Sequence, residues 1–241
     1  MTQIKPIPDE TLEVLKNIPT QTLIDGLWVK GWPSGYVEGA KPLQLGQSMV
    51  GRAVTLRFVP HRPDIAEDKP KKEKSAEYLA IELCGPSEVL VIDAMGWEYS
   101  SIGGDIKFMR LMQLQVGGLV TDGGVRDSVA LKEYGFPVYS ASTTAKQGPA
   151  DFWPWQVNDA IQCGRVLVRP GDAVVGDDDG VVVVPRSEVD EVIRIAHERE
   201  KVEEVIKAQL EIENCSPGKY YPFNENTWKL YEEKTGRKKV Q

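Results

Sequence analysis

Ser100-Ser101-Ile102-Gly103-Gly104-Asp105 and Asp122-Gly123-Gly124-Val125-Arg126-Asp127 bracket one apolar, helix-length segment, and the fold is read outward from them. Between them Ile106, Met109, Leu111, Met112 and Leu114 recur mostly at three- and four-residue steps, which predicts a helix over 106–115. Gly117 fits the left-handed residue that closes such a helix. Residues 118–121 then read as a short buried strand and Asp122-Gly123-Gly124 as a sharp turn. Residues 129–134 read as a second helix, stopped by Gly135 and Pro137. Upstream, Val89-Leu90-Val91-Ile92 is a nearly continuous apolar run, as in a strand buried on both faces. Both glycine turns therefore fall at strand C-terminal ends, where α/β folds place their ligands.

The residues at these turns suit anion and enolate chemistry. A helix that starts just after two glycines offers unpaired N–H groups and the positive end of its dipole to a carboxylate or phosphate. Arg126 adds a fork of donors, and Asp127 suits a hard divalent cation or a base. The same residues also fit a plainer reading, with Asp127 or Ser128 as a helix N-cap and Arg126 as a surface side chain.

The chain has 241 residues, 41% of them hydrophobic, enough for one sizeable domain with a full core. A net charge of −7 argues against nucleic acid as the main partner. Cys84, Cys163 and Cys215 form no CxxC pair, so neither a disulfide scaffold nor a structural zinc site is indicated. The start of the chain is polar and no run of about 18 apolar residues occurs, so the expectation is a soluble cytoplasmic protein without a membrane partner.

Helices are expected over 9–17 and 21–30, the latter with Thr20 as N-cap, and a strand over 49–59. Arg52 and Arg57 in that strand fit surface ion pairs or an anionic ligand. Residues 61–74 read as a charged mobile loop, 75–83 as a helix, 137–140 as a short strand and 141–156 as loop. In that last loop Phe152, Trp153 and Trp155 fit a pocket wall, a subunit contact or core. Residues 161–168, 173–175 and 181–184 are β-rich. Asp179-Gly180 reads as a hairpin turn rather than a calcium loop, because the sixth-position glycine and distal glutamate are missing. Ser187 caps a long helix over 188–211, followed by an aromatic tail over 214–241.

Gly103-Gly104-Asp105, the run from Gly117 to Asp127, Pro149–Trp155, Pro170-Gly171-Asp172 and Gly176–Val181 together resemble the signature of the RraA-like family. This family contains 4-hydroxy-4-methyl-2-oxoglutarate/4-carboxy-4-hydroxy-2-oxoadipate aldolases and the ribonuclease E regulator RraA. The tail Pro217–Pro222 resembles a longer subgroup usually labelled as RraA regulators. The resemblance implies an α/β protein with an αββα sandwich, related to the phosphohistidine-like swivelling β/β/α fold. It implies one domain over 1–241 that assembles as a homotrimer or a dimer of trimers. The C-terminal helix and tail, 187–241, would pack on a neighbouring subunit, with Glu203 or Glu200 reaching the neighbour's site.

For function the resemblance implies a class II pyruvate aldolase that cleaves a 4-hydroxy-2-oxo acid to pyruvate and decarboxylates oxaloacetate on the side. In that reading the backbone around Gly103, Gly104, Asp105 and Ile106 binds the substrate carboxylate. Arg126 binds the C2 oxygen and steadies the enolate. Asp127 ligates Mg²⁺ or Mn²⁺, and Asp105 orients a metal-bound water or takes part in proton transfer. No lysine lies in the two glycine turns, which disfavours a Schiff-base route. The alternatives are a C–C lyase or hydrolase acting on a 2-keto-3-deoxy or 2,4-diketo sugar acid, and a non-catalytic ribonuclease E regulator. As the family is understood, the regulator lacks an aspartate after the arginine, whereas Arg126-Asp127 is intact here. A phosphoryl-carrier role would need a histidine in a glycine-rich turn. His61 lies in the charged loop and His197 in the long helix. An aldolase for a tricarboxylic acid needs extra cations, for which Arg52, Arg57 and Arg165 are the candidates.

Overall fold

The computed structural model describes residues 5–68 and 70–237. Residues 1–4, Lys69 of the charged loop and the basic end 238–241 lie outside the described residues. Contacts divide the chain into two compact units, one up to Ile193 and one from Arg194.

In the first unit α1 (Asp9–Lys16) and α2 (Thr20–Val29) lead into β1 (Lys41–Pro42) and the long β2 (Met49–Pro60). Then come α3 (Ala76–Glu82), β3 (Glu88–Asp93), α4 (Asp105–Gln113), β4 (Gly118–Thr121) and β5 (Gly124–Val125). The chain continues through α5 (Ser128–Tyr134), β6 (Val138–Ser140), β7 (Ser142–Thr143) and β8 (Phe152–Val157). Two hairpins follow, β9 (Ile161–Cys163) with β10 (Val166–Val168) and β11 (Ala173–Asp177) with β12 (Gly180–Val184).

The main sheet runs β1-β6-β4-β3-β2-β11-β12, with β8 beside the second half of β2. Its centre, β2, β3, β4 and β6, is parallel, and the other pairs are antiparallel. Tyr36 bridges to Val182 of β12 and β1 lies beside β12, so the two ends of the order approach each other. Side-chain alternation along β3 explains its apolar run. Leu90 and Ile92 join a core with Ala80 of α3, Phe108 and Leu111 of α4 and Leu131 of α5. Val89 and Val91 join a second core with Ile161, Val174, Val181 and Val183. Burying one such side chain contributes about 1.5–3 kcal/mol, so β3 is anchored from both faces. On the outer side α2, with Leu23 and Leu27 buried, packs on β11 and β12. Helices, sheet, folded-over strands and helices make the expected αββα sandwich.

Three local expectations are corrected. Thr20 is the first residue of α2 rather than its cap; its N and Oγ1 both donate to the Asp177 carboxylate, at 2.9 Å each. The left-handed residue after α4 is Gln115 (φ 55°), not Gly117. Gly117 answers to space, since a Cβ there would lie 2.8 Å from the Glu88 carbonyl oxygen. Residues 152–156, the end of the stretch expected as loop, belong to β8, which pairs with β2 alone and so tolerates Pro154. Phe152 is core, edge-on to Phe58 at 4.8 Å between ring centres.

The second unit holds the larger part of α6 (Val189–Glu213) and α7 (Glu225–Thr235). Asn224 and Thr227 close a reciprocal cap on α7. Val202 and Ile206 of α6 share a small core with Tyr220, Leu230 and Tyr231.

Candidate active site

The two glycine turns are knitted together by their backbones. Ile102 N donates to Gly124 O (2.9 Å), Gly124 N to Ser100 O (3.2 Å) and Arg126 N to Gly103 O (3.1 Å). A third segment straps both: Ser101 N donates to Lys146 O (3.2 Å) and Thr144 N to Val125 O (2.9 Å). That strap is part of what sequence reasoning read as loop, and its Gln147, Gly148 and Pro149 supply one wall of the site.

Close approach, not turn conformation, demands these glycines. None of Gly103, Gly104, Gly123 and Gly124 has a left-handed φ. A Cβ on Gly104 would lie 2.3 Å from Asp127 Oδ2 and 2.6 Å from Arg126 Cγ; one on Gly103 would lie 2.7 Å from the Phe108 ring. The left-handed residue is Asp127 itself (φ 57°), and aspartate tolerates that region better than most.

Asp127 stands at the N-cap position of α5, yet its side chain caps nothing there. Its Oδ2 accepts from Asp105 N (3.1 Å) and Arg126 Nε (3.2 Å), which ties the start of α4 to the second turn. Among the described residues no hydrogen bond falls on Oδ1. The Arg126 and Asp127 side chains are 45% and 38% exposed, so their pairing is weak and both remain open to a ligand. Gly103 N is taken by Ser101 Oγ (3.1 Å) and Asp105 N by Asp127. This narrows the predicted anion cradle to the N–H groups of Gly104 and Ile106, at the start of α4. Ile106 offers backbone only, its side chain being 80% exposed. The Asp105 carboxylate accepts from the Tyr134 hydroxyl, an interaction that pushes the Tyr134 phenol up to about 12.

All six predicted site residues, Gly103, Gly104, Asp105, Ile106, Arg126 and Asp127, line one hollow of about 310 Å³. Asp105, Arg126 and Asp127 also border a larger one of about 780 Å³, lined as well by Ser128, Glu133, Thr143 and Thr144. Beneath the turns two buried carboxylates brace the strand ends. Asp122 accepts from Ala94 N (2.7 Å), Gln162 Nε2 (3.1 Å) and Gly164 N (3.3 Å). Asp93 accepts from Met95 N (2.9 Å); burial, and then the charge of Asp122, push its carboxyl up.

The other candidates lie elsewhere. Arg52 pairs with Asp9 (2.8 Å) and Glu88 (3.2 Å), Arg57 lies 3.9 Å from Asp93, and Arg165 pairs with Glu38 (3.2 Å). None of the three lines either hollow. In the second unit Glu200 sits 3.5 Å from His197 and Glu203 4.0 Å from Arg199. Sequence reasoning missed Tyr134, which it treated as a helix end, and the 147–149 wall, although Gly148-Pro149 is a turn dipeptide and Pro149 opens one of the stretches that carry the family resemblance.

Among the described residues no group of three or more His, Cys, Asp and Glu side chains forms a metal cage. A free carboxylate oxygen on Asp127 beside open space instead suits Mg²⁺ or Mn²⁺, which bind through one or two carboxylates and take their other ligands from substrate and water. No helix among the described residues is long and apolar enough to cross a membrane.

A family model described as RraA-like, Aldolase/RraA, matches residues 20–183. A Halalkalibacterium halodurans protein that carries the provisional name 4-hydroxy-4-methyl-2-oxoglutarate aldolase is 32% identical over 193 residues, covering 78% of this chain and 83% of its own. The structure of Streptomyces coelicolor RraAS2, described as an unusual member of the RNase ES inhibitor RraA protein family, superposes with a TM-score of 0.75. It is 31% identical and covers 83% of this chain and 96% of its own. A Pseudomonas syringae pv. tomato protein shares the fold at a TM-score of 0.74 and 22% identity, covering 89% of this chain and 98% of its own.

Proposed function

The chain belongs to the RraA-like family, and we propose that it is a divalent-metal-dependent class II aldolase that releases pyruvate from a 4-hydroxy-2-oxo acid. The observation that carries this reading is the meeting of Asp105, Arg126 and Asp127 with the open N–H groups of Gly104 and Ile106 around one hollow. Retro-aldol cleavage requires the C1 carboxylate and C2 carbonyl held, the C4 hydroxyl deprotonated and the developing enolate charge opposed. The N–H groups at the start of α4 suit the carboxylate. Arg126, with its terminal nitrogens beyond the Nε bond to Asp127, faces the C2 oxygen and opposes the enolate charge. Asp127, through Oδ1, would hold Mg²⁺ or Mn²⁺, which when bound supplies a Lewis acid for the 2-oxo group. Asp105 takes the C4 hydroxyl proton directly or through a water. The C3–C4 bond then breaks, the carbonyl fragment departs into the larger hollow, and a proton returned to C3 completes pyruvate. Oxaloacetate would lose carbon dioxide through the same enolate.

One observation supports a second substrate class. Arg52, Arg57 and Arg165 are engaged away from the site. Among the described residues Arg126 is the one Lys or Arg lining the larger hollow, beside Ser128, Thr143, Thr144 and Glu133. A hydroxylated fragment from a 2-keto-3-deoxy sugar acid, or cleavage of a 2,4-diketo acid, fits that lining at least as well as a second carboxylate does.

The test is pyruvate release, coupled to lactate dehydrogenase, from oxaloacetate, 4-hydroxy-4-methyl-2-oxoglutarate and a 2-keto-3-deoxy aldonate, with Mg²⁺ and with EDTA. Turnover with Mg²⁺ and none with EDTA is expected. No turnover of any substrate, with no Mg²⁺ or Mn²⁺ binding by calorimetry, would overturn the reading in favour of a non-catalytic regulator of the ribonuclease E type. Homo-oligomeric assembly belongs to the same proposal and is read by light scattering.

A further inference from the structure

We propose that Tyr134 is a positioning residue of this site: its hydroxyl holds one oxygen of the Asp105 carboxylate and leaves the other for proton transfer. The activity readouts rest on the aldolase reading above; the bond itself does not.

Tyr134 is the last residue of α5, and α5 packs on α4. Its ring lies against the core that contains Phe108, Leu111 and Leu131, where a phenylalanine would fill the same space. The hydroxyl is the part that packing does not require, and it ends on Asp105 Oδ1. Asp105 is thereby fixed at both ends: Asp127 Oδ2 takes its backbone N–H, and Tyr134 donates to its side chain. This matters because of where Asp105 sits. A carboxylate at the first position of a helix is drawn to that helix's own free N–H groups and to the positive end of its dipole. Among the described residues its carboxylate accepts from the Tyr134 hydroxyl and from no N–H of α4. Tyr134 draws it outward, which keeps the Ile106 N–H open for a substrate carboxylate. It also presents Asp105 to the hollow in one orientation. The phenol, pushed up to about 12, remains a donor through the neutral range.

Tyr134→Phe removes the hydroxyl and keeps the ring. The expected result is a loss in kcat of about tenfold for pyruvate release, with KM changed less than about twofold and Tm kept. In an Asp105→Ala background the same change should cost nothing more, because the group it positions is gone. Independently of turnover, the tyrosine ring Cζ resonance assigned to Tyr134 by ¹³C NMR should move in Asp105→Ala. Full kcat in Tyr134→Phe, equal losses in the two backgrounds, or an unmoved Cζ resonance would overturn the proposal. If the wild-type protein releases no pyruvate from any substrate, the aldolase reading falls while the Cζ comparison still decides whether Tyr134 holds Asp105.

Discussion

Two stretches rich in glycine and aspartate look alike on paper and are used in opposite ways. In the hairpin Gly176-Asp177-Asp178-Asp179-Gly180 the Asp177 carboxylate is consumed. Asp177 accepts from Thr20 N, Thr20 Oγ1 and Asp179 N, and Asp178 accepts from Gly46 N. At the strand-end turns Asp105 and Asp127 take few bonds, and both line open hollows. Composition does not tell a binding turn from a structural one. Counting where each carboxylate's lone pairs go does, because a carboxylate that already holds backbone donors has little left for a ligand.

The sharpest way to break this contrast is at Gly104. Its missing Cβ makes room for Asp127 and Arg126, so Gly104→Ala must displace both of them. Pyruvate release should fall about 10²-fold or more in Gly104→Ala, and also in Asp127→Ala and Arg126→Ala. In Arg126→Ala Tm should hardly move, because its ion pair is about half exposed. Asp127→Ala also gives up the bond from Asp105 N and puts alanine at a left-handed φ, and should lower Tm by a few degrees. A retained rate in any of the three would erase the distinction. The mirror experiment is Asp177→Ala. Loss of the bonds to the start of α2 should cost about 0.5–2 kcal/mol, read as a Tm lower by a few degrees, with pyruvate release unchanged.

A subtler effect concerns Asp93, beneath the site. Its carboxyl is pushed up by burial first and by Asp122 second. A folded-state value above the unfolded one favours the protonated form in the native protein. That contribution is complete below about pH 4, the unfolded value, and is lost as pH rises through the folded value. Asp93→Asn keeps an acceptor for Met95 N and cannot ionise. Its stability relative to wild type should therefore climb with pH above about 4, measured as urea midpoints at several pH values. The smallest change expected is Arg165→Ala. Its pair with Glu38 is largely exposed, so stability should stay within about 0.5 kcal/mol and turnover should be unaffected.

The strand–turn–helix order was legible because the middle of β3, Val89 to Ile92, is buried on both faces and apolar. The six candidate residues were legible as one group because they lie in two short stretches that the fold sets side by side. The reason for the glycines was not, since the atoms that crowd Gly104 belong to residues 22 and 23 positions later. The apolar stripe of α4 mixed two faces. Phe108 and Leu111 point into the core, whereas Ile106, Met109 and Met112 are 80%, 39% and 37% exposed. The strap at 142–149 left no pattern because it is held mainly by backbone bonds to distant turns, which any side chain permits. Tyr134 read as an ordinary aromatic at a helix end, and only the folded position of Asp105 gives its hydroxyl a purpose.

The central claim, that the two turns build an enolate-forming site, can be tested without knowing the physiological substrate. Pyruvate in D₂O should lose its methyl proton signal in ¹H NMR when wild-type protein and Mg²⁺ are present. EDTA should stop the exchange, and so should Asp127→Ala or Arg126→Ala. Exchange no faster than in buffer, with either Mg²⁺ or Mn²⁺, would contradict the claim.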